Sequence, residues 1–299
     1  MSQNEFIPPT KNPFRIIKTT FLTALIVWKS YKGTLVFFIV LSILFAMLPI
    51  FMGRAIGGPQ YKTFFAENGG GTHPEAFLIL GTNSWTLVLY ALWDYANYMR
   101  EEQQQGTLES LLLTPANQGL VVIGRGLVSA IMAIGTFLIG VFIGLMIFDP
   151  GLLVSIDLPL FLFSIFLMVL GFIPLLGLSM VLGAFIIRFK EISNVLSIFQ
   201  FILGTLMGVF FPITILPFEV QIISILFPGT WIVQDIRYIV TGSPPMLVIL
   251  GMNKYLGNIP ILFDFIAICI LAIVWALAGI IIFSRSLKRM EKEEGISHY

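Results

Sequence analysis

Charge is scarce in this 299-residue sequence. Asp, Glu, Lys and Arg together make up 11% of it, against 57% hydrophobic residues. A water-soluble domain carries roughly 25% charged residues, so a surface this poor in charge excludes water as the main solvent. The net charge of +1 leaves no footprint for nucleic acid. The single cysteine, Cys269, lies in an apolar run, and alone it excludes an intramolecular disulfide and any C-x-x-C metal site. The two histidines, His73 and His298, fall in a loop and in the tail, with no Asp/Glu cluster beside them, which excludes a metal-dependent active site. The phosphate-cradling run G-x-x-x-x-G-K-[ST] is absent. So the chain is not expected to be an enzyme or to hydrolyse a nucleotide itself. The first eighteen residues are polar and Pro-rich, and the next apolar stretch ends at a lysine, which is unlike a cleavable signal peptide.

Long apolar runs are abundant instead. A helix needs about 20 mostly apolar residues to cross the hydrocarbon core, and six stretches qualify: 35–53, 77–98, 120–148, 158–187, 195–215 and 263–284. Each is expected to be helical, because a lone strand in lipid leaves its backbone groups unpaired. In the fourth run, Gly171, Pro174 and Gly177 predict a kink. The fold class expected is therefore all-α, a single polytopic domain of six transmembrane helices over 1–299. Lys and Arg set the orientation. With both termini in the cytoplasm, thirteen of the 17 basic residues fall inside; Arg54, Lys62, Arg237 and Lys254 fall outside.

Between the termini and the spans, several segments have their own character. In 15–32, Ile17, Phe21, Ala24, Trp28 and Tyr31 share one helical face, and Lys18, Lys29 and Lys32 cluster beside it. The segment reads as an amphipathic helix in the cytoplasmic interface, the alternative being an early start to the first span. Loop 54–76 is Gly-rich and too short for an ectodomain. The segment 216–262 is apolar but broken by Pro217, Pro228, Pro244 and Pro245. It is expected to form short re-entrant or interfacial helices on the outer side, packed against protein.

Polar groups inside the spans are few. Asp94, with Tyr90, Asn97 and Tyr98 nearby, stands near the cytoplasmic end of the second span, as either a polar anchor or a proton site. Asn83, Asn194, Ser197 and Gln200 are candidates for a substrate path or for ties between helices. Gly204 and Gly208, and again Gly140 and Gly144, have the G-x-x-x-G spacing that lets helix backbones approach, between subunits or within one.

The loop 100–118 is the most informative segment. After Arg100 it is dense in carboxylates and amides (Glu101, Glu102, Gln103, Gln104, Gln105) and then turns apolar at Leu108, Leu111 and Leu112, one face of a short helix. Thr107 can cap this helix and Pro115 stops it. An apolar face with an acidic approach suits docking of a soluble partner. A lipid headgroup surface would attract cations instead, and Glu101, Glu102 and Glu109 are acidic.

The run E-x-x-x-G-T-L-E-x-L-x-x-T-P over 102–115 resembles the signature of the ABC-2 type permeases, the membrane subunits of one class of ATP-binding-cassette exporters. The stretch from Gly208 through Phe211, Pro212, Leu216, Pro217 and Pro228 to Asp235 and Arg237 is similar to that family's pattern after the fifth span, and the topology fits nearly the whole chain. The resemblance implies a coupling helix over 106–114 that sits in a cleft of a separate ATPase. Glu102 and Glu109 would be its polar contacts and Leu108, Leu111 and Leu112 its apolar ones, with Gly106, Thr107, Thr114 and Pro115 shaping it. It also implies two ATPase subunits, a second permease subunit (a homodimer), and ATP and Mg held by the partner, with no cofactor bound directly. Location in a prokaryotic cell membrane and efflux follow from it as well. The apolar spans favour a hydrophobic, drug-like or lipid-linked cargo. Two other readings stay open: an ion-gradient-driven transporter or channel using Asp94, and a membrane scaffold without transport.

Overall fold

The computed structural model describes residues 12–30, 32–104, 118–188, 193–243 and 260–293. About 90% of these residues are helical and none lies in a strand. The helices are α1 (Pro13–Ser30), α2 (Lys32–Gly57), α3 (Tyr61–Glu67), α4 (Pro74–Gln104), α5 (Gln118–Phe148), α6 (Pro150–Ser155), α7 (Leu158–Arg188), α8 (Ser193–Leu206), α9 (Phe218–Ile225), α10 (Pro228–Thr241) and α11 (Pro260–Glu293). Five stretches among the described residues are long and apolar enough to cross a membrane: Ile43–Glu67, Pro74–Leu92, Gly119–Phe148, Leu158–Phe185 and Leu262–Ser286. The chain is a multi-pass membrane protein.

The fifth expected run, 195–215, is not one helix. α8 has 14 residues, about 21 Å at 1.5 Å per residue, which is short of a hydrocarbon core about 30 Å thick. A glycine stops it. Gly208 adopts φ 63°, Gly208 N–H donates to Thr205 O at 3.0 Å and Val209 N–H to Gly204 O at 3.1 Å. This paired closure, with a left-handed residue just past the helix, ends α8 without orphaning its last carbonyls. A 3-10 turn, Ile213–Ile215, then leads into α9.

Pro174 does not interrupt α7, which runs for 31 residues through it. α1 spans the expected amphipathic segment. Its Ile17, Phe21 and Ala24 are half-buried, and it packs on α5, where a Cβ on Gly124 would lie 2.8 Å from both Ile17 O and Thr20 Cβ. The apolar residues Phe14, Leu22, Ile26 and Val27 face away from the protein. The loop 54–76 is compact. A 3-10 turn (Gly58–Gln60) and α3 fold back so that Tyr61 and Phe65 are buried beside Phe77. Arg54 pairs with Glu75 at 2.8 Å, and His73 meets Asp149 at 2.7 Å, tying this loop to the turn before α6.

α4 is the hub of the core and packs against α2, α5, α7 and α10. Residues Ala76 to Leu80 of α4 are buried at 0–1% exposure. α7 and α11 make the most extensive helix pair. There a Cβ on Gly177 would lie 2.1 Å from Trp275 O, and one on Gly279 would lie 2.5 Å from Gly177 O. Without a hydrophobic drive between helices in lipid, close backbone approach of this kind supplies the van der Waals contact that holds them.

Candidate functional site

A group of buried polar residues lies where α10 enters the core. α10 opens with Pro228 at its first turn and closes on Gly242 at φ 68°, whose N–H returns to Tyr238 O at 3.0 Å. Proline preset for a helical start and a left-handed glycine at the end fix both limits locally. Between them, residues 228–237 are buried throughout, Thr230, Gln234, Asp235 and Arg237 included. An outer segment that is buried on all sides is no loop.

Arg237, counted in the sequence with the outside charges of the segment 216–262, is fully buried. Its Nε donates to Phe77 O at 3.1 Å, Nη1 to Gly208 O at 2.8 Å and Nη2 to Val209 O at 2.8 Å, and the guanidinium lies 3.4 Å from the centroid of the Phe77 ring. Gly208 and Val209 lie beyond the end of α8 and so have carbonyls with no helical partner. The planar guanidinium collects them together with a carbonyl of α4 in one fork. Space for it comes from Gly81, where a Cβ would sit 2.1 Å from Nη2 and 2.4 Å from Val209 O. One side chain therefore joins α10, α4 and the α8 turn.

Two residues before it, Asp235 is buried as completely, and so is Asp264 in the first turns of α11. The Asp264 carboxyl is close enough to Asp235 to act on its charge. α10 is not among the candidate spans. Burial first, and the Asp264 carboxyl second, push the Asp235 carboxyl well above the usual carboxylate range. The three hydrogen bonds of Arg237 go to carbonyls.

Of the substrate-path candidates, Asn83 is fully buried, its Nδ2 donating to Ile79 O at 2.8 Å, and its head faces α5, where a Cβ on Gly140 would lie 1.9 Å from Oδ1. Gln200 is buried on α8 and Ser197 is exposed on it. Asn194 belongs to α8, but its side chain is outside the described set, as are those of Asp94 and Glu102 on α4. Gly144 packs on Ile79 and Gly204 on Trp85, so the close approaches described for Gly140, Gly144 and Gly204 are contacts with α4 of the same chain; Gly208 is a turn residue. Gly106, Thr107, Leu108, Glu109, Leu111, Leu112, Thr114 and Pro115 lie outside the described residues.

A separate cleft of about 370 Å³ opens between α5, α6 and α7, lined by Leu138, Val141, Phe142, Leu153, Ile156, Leu158 and Phe161. It offers apolar surface and no chemistry. Among the described residues no group of three or more His, Cys, Asp or Glu is placed to hold a metal ion.

Sequence reasoning passed over Asp264 because it stands at the edge of an apolar run, where a carboxylate reads as a boundary. The available signal was its position inside the run rather than before it. Arg237 and Asp235, two residues apart in an otherwise apolar stretch, gave a similar sign. No protein-family model matches the sequence, and no curated protein matches it.

Proposed function

We propose that the chain is the membrane-spanning permease subunit of an ATP-driven exporter, powered by a separate ATPase and carrying a hydrophobic or lipid-linked molecule. The observation that carries this reading is the sequence 102–115, an acidic approach followed by Thr107, Leu108, Leu111, Leu112 and Pro115 in the order of a docking helix. Its placement supports the same reading. α4 runs unbroken for 31 residues to Gln104, about 46 Å, so a push on the docking loop is delivered along one rigid rod to the buried core around Phe77 and Gly81. The Lys/Arg distribution supports cytoplasmic termini. Counting α8 with its following turn as a short sixth crossing, and α9 and α10 as an outer re-entrant hairpin, satisfies that topology. The apolar cleft beside α6 and the lipid-facing helices suit an apolar cargo.

The test is partner capture. The tagged full chain, gently solubilised from its own cells, is expected to co-purify with an ATP-binding-cassette ATPase. The doubly substituted Glu102→Arg, Leu111→Asp chain is expected to lose that partner while remaining monodisperse. Absence of any ATPase with the parent chain, after cross-linking as well, would remove the exporter reading and turn attention to ion-coupled flux through Asp94.

A further inference from the structure

The cleft between α5, α6 and α7 has a volume, a depth and a lining that together select its occupant. It holds about 370 Å³, within the roughly 300–1,000 Å³ usual for ligand pockets. Its α5 wall includes Leu138, Val141 and Phe142, and α5 ends at Phe148. Leu138 therefore lies about 15 Å down the helix from the α5–α6 turn. The hydrocarbon core is about 30 Å thick. With the turn at the membrane surface, the cleft is a slot about one leaflet deep.

The slot is polar only at its shallow end. All of its lining side chains are aliphatic or aromatic, and Asp149 and Asp157 bracket α6 at the top. Val141 is buried at the floor, while Phe142 and Leu158 at the edge are more than half exposed. In a membrane protein that edge faces lipid. Water gains nothing in the slot, since the lining offers no hydrogen-bonding group. A flexible hydrocarbon chain lying along it gains dispersion contacts with α5, α6 and α7 at once. Bilayer chains stand at the mouth at far higher concentration than any cargo, so mass action favours them.

α6 is one wall, and it is held through a single side chain. Asp149 Oδ1 accepts from Leu152 N–H at 3.3 Å, and its Oδ2 meets His73 Nδ1 at 2.7 Å. Leu152 is buried, and Leu153 and Ile156 line the cleft.

We propose that this slot binds one acyl chain of a phospholipid, drawn from the leaflet on the side of the α5–α6 turn, with the headgroup at the level of Asp149 and Asp157. That leaflet is the outer one in the topology proposed above. His73 is a positioning residue: through Asp149 it keeps Leu153 and Ile156 against the chain. The inference stands apart from the exporter reading, because a resident lipid needs neither an ATPase nor a cargo.

Photo-cross-linking tests it on the full chain in phosphatidylcholine nanodiscs, with phosphatidylcholine carrying a diazirine in one acyl chain as the probe. Labelled residues are mapped by mass spectrometry. A seated chain has most of its surface against protein, so label on the slot should exceed label on Ile270, Ile273 and Leu277 of α11 by about three-fold or more. Those three are exposed and lie on no cleft wall. Val141→Trp fills the slot and should bring its label down to the α11 level, leaving α11 unchanged. Should that variant fail to fold, Leu153→Trp fills the slot from the α6 side. His73→Ala should lower the slot label, and His73→Asn, whose amide can donate to Asp149, should restore it. Equal labelling of slot and α11 in the parent, or slot label that survives both Trp variants, overturns the site. Slot label displaced by a lipid extract of the protein's own cells, with α11 label unchanged, assigns the slot to another molecule and overturns the phospholipid. Slot label unchanged in His73→Ala overturns the role of His73.

Discussion

α4 and α11 are both long helices of a membrane protein, yet they are built in opposite ways. In the candidate span of α4, 89% of the residues are buried; in that of α11, only 17% are. α11 is the more apolar of the two, with Ile266, Ile270, Ile273, Val274, Leu277 and Ile281 exposed. α4 is the more polar, with Thr82, Asn83, Ser84 and Thr86 hidden in the core. In water the apolar helix would be the buried one. In lipid, apolar side chains gain nothing from leaving the solvent, while polar groups must find partners inside the protein. A modestly apolar span need not be buried, however: Ile43–Glu67 is 11% buried, with Leu44, Leu48, Phe51 and Met52 of α2 exposed.

The comparison breaks most severely at Arg237, which anchors α10 to α4. Arg237→Ala leaves three carbonyls and the Phe77 ring without their shared partner. It should cost about 3–5 kcal/mol, the usual result of removing one member of a buried charged network, read as a large fall in melting temperature. Gly81→Ala should reach a similar defect from the α4 side at about 1–3 kcal/mol, since its Cβ has no room beside Nη2. A milder contrast comes from truncating one isoleucine on each helix. Ile79→Ala, in the buried face of α4, should lose about 2–4 kcal/mol from the cavity it leaves. Ile273→Ala, on the exposed face of α11, should change stability by less than about 0.5 kcal/mol. Equal effects of the two truncations would mean that α11 has a protein partner over its exposed face.

The smallest effect expected is one of pH. The carboxyl of Asp235 is held above its unfolded range, so the folded state binds protons more tightly there than the unfolded state does. The stability from this group is complete below the ordinary Asp value of about 4 and is lost as pH rises through the folded value. Melting temperature in detergent should therefore decline with rising pH in the parent, and Asp264→Asn should flatten that slope. An unchanged slope in the variant would separate the pair's titration from folding.

Much of this was legible in the sequence, and the boundary of what was legible has a physical cause. Runs of apolar residues specified helices, since only a helix satisfies its own backbone in lipid, and the runs near 77–98, 120–148, 158–187 and 263–284 correspond to α4, α5, α7 and α11. Pro228, one of the breaks seen in the sequence, opens α10, and Gly242 closes it. The run 195–215 misled because hydropathy is blind to Gly208, whose backbone turns the chain. Asp264 stood inside the run 263–284 without being singled out, and Arg237 was counted among the outside charges.

The sequence by itself determined a multi-pass helical membrane protein, because charge this scarce and apolar runs this long admit no other solvent. It also carries, over 102–115, the local pattern of capping, acidic and leucine positions on which the docking proposal rests. Only the tertiary structure decided which helix is the hub, that the glycines at 177 and 279 seat α7 on α11, and that Arg237 gathers carbonyls from two distant segments. The full burial of Asp235 and Asp264 belongs to the same class. Hydropathy is a property of single residues summed along the chain, whereas a buried charge is tolerated or not according to which groups the fold brings within hydrogen-bonding distance.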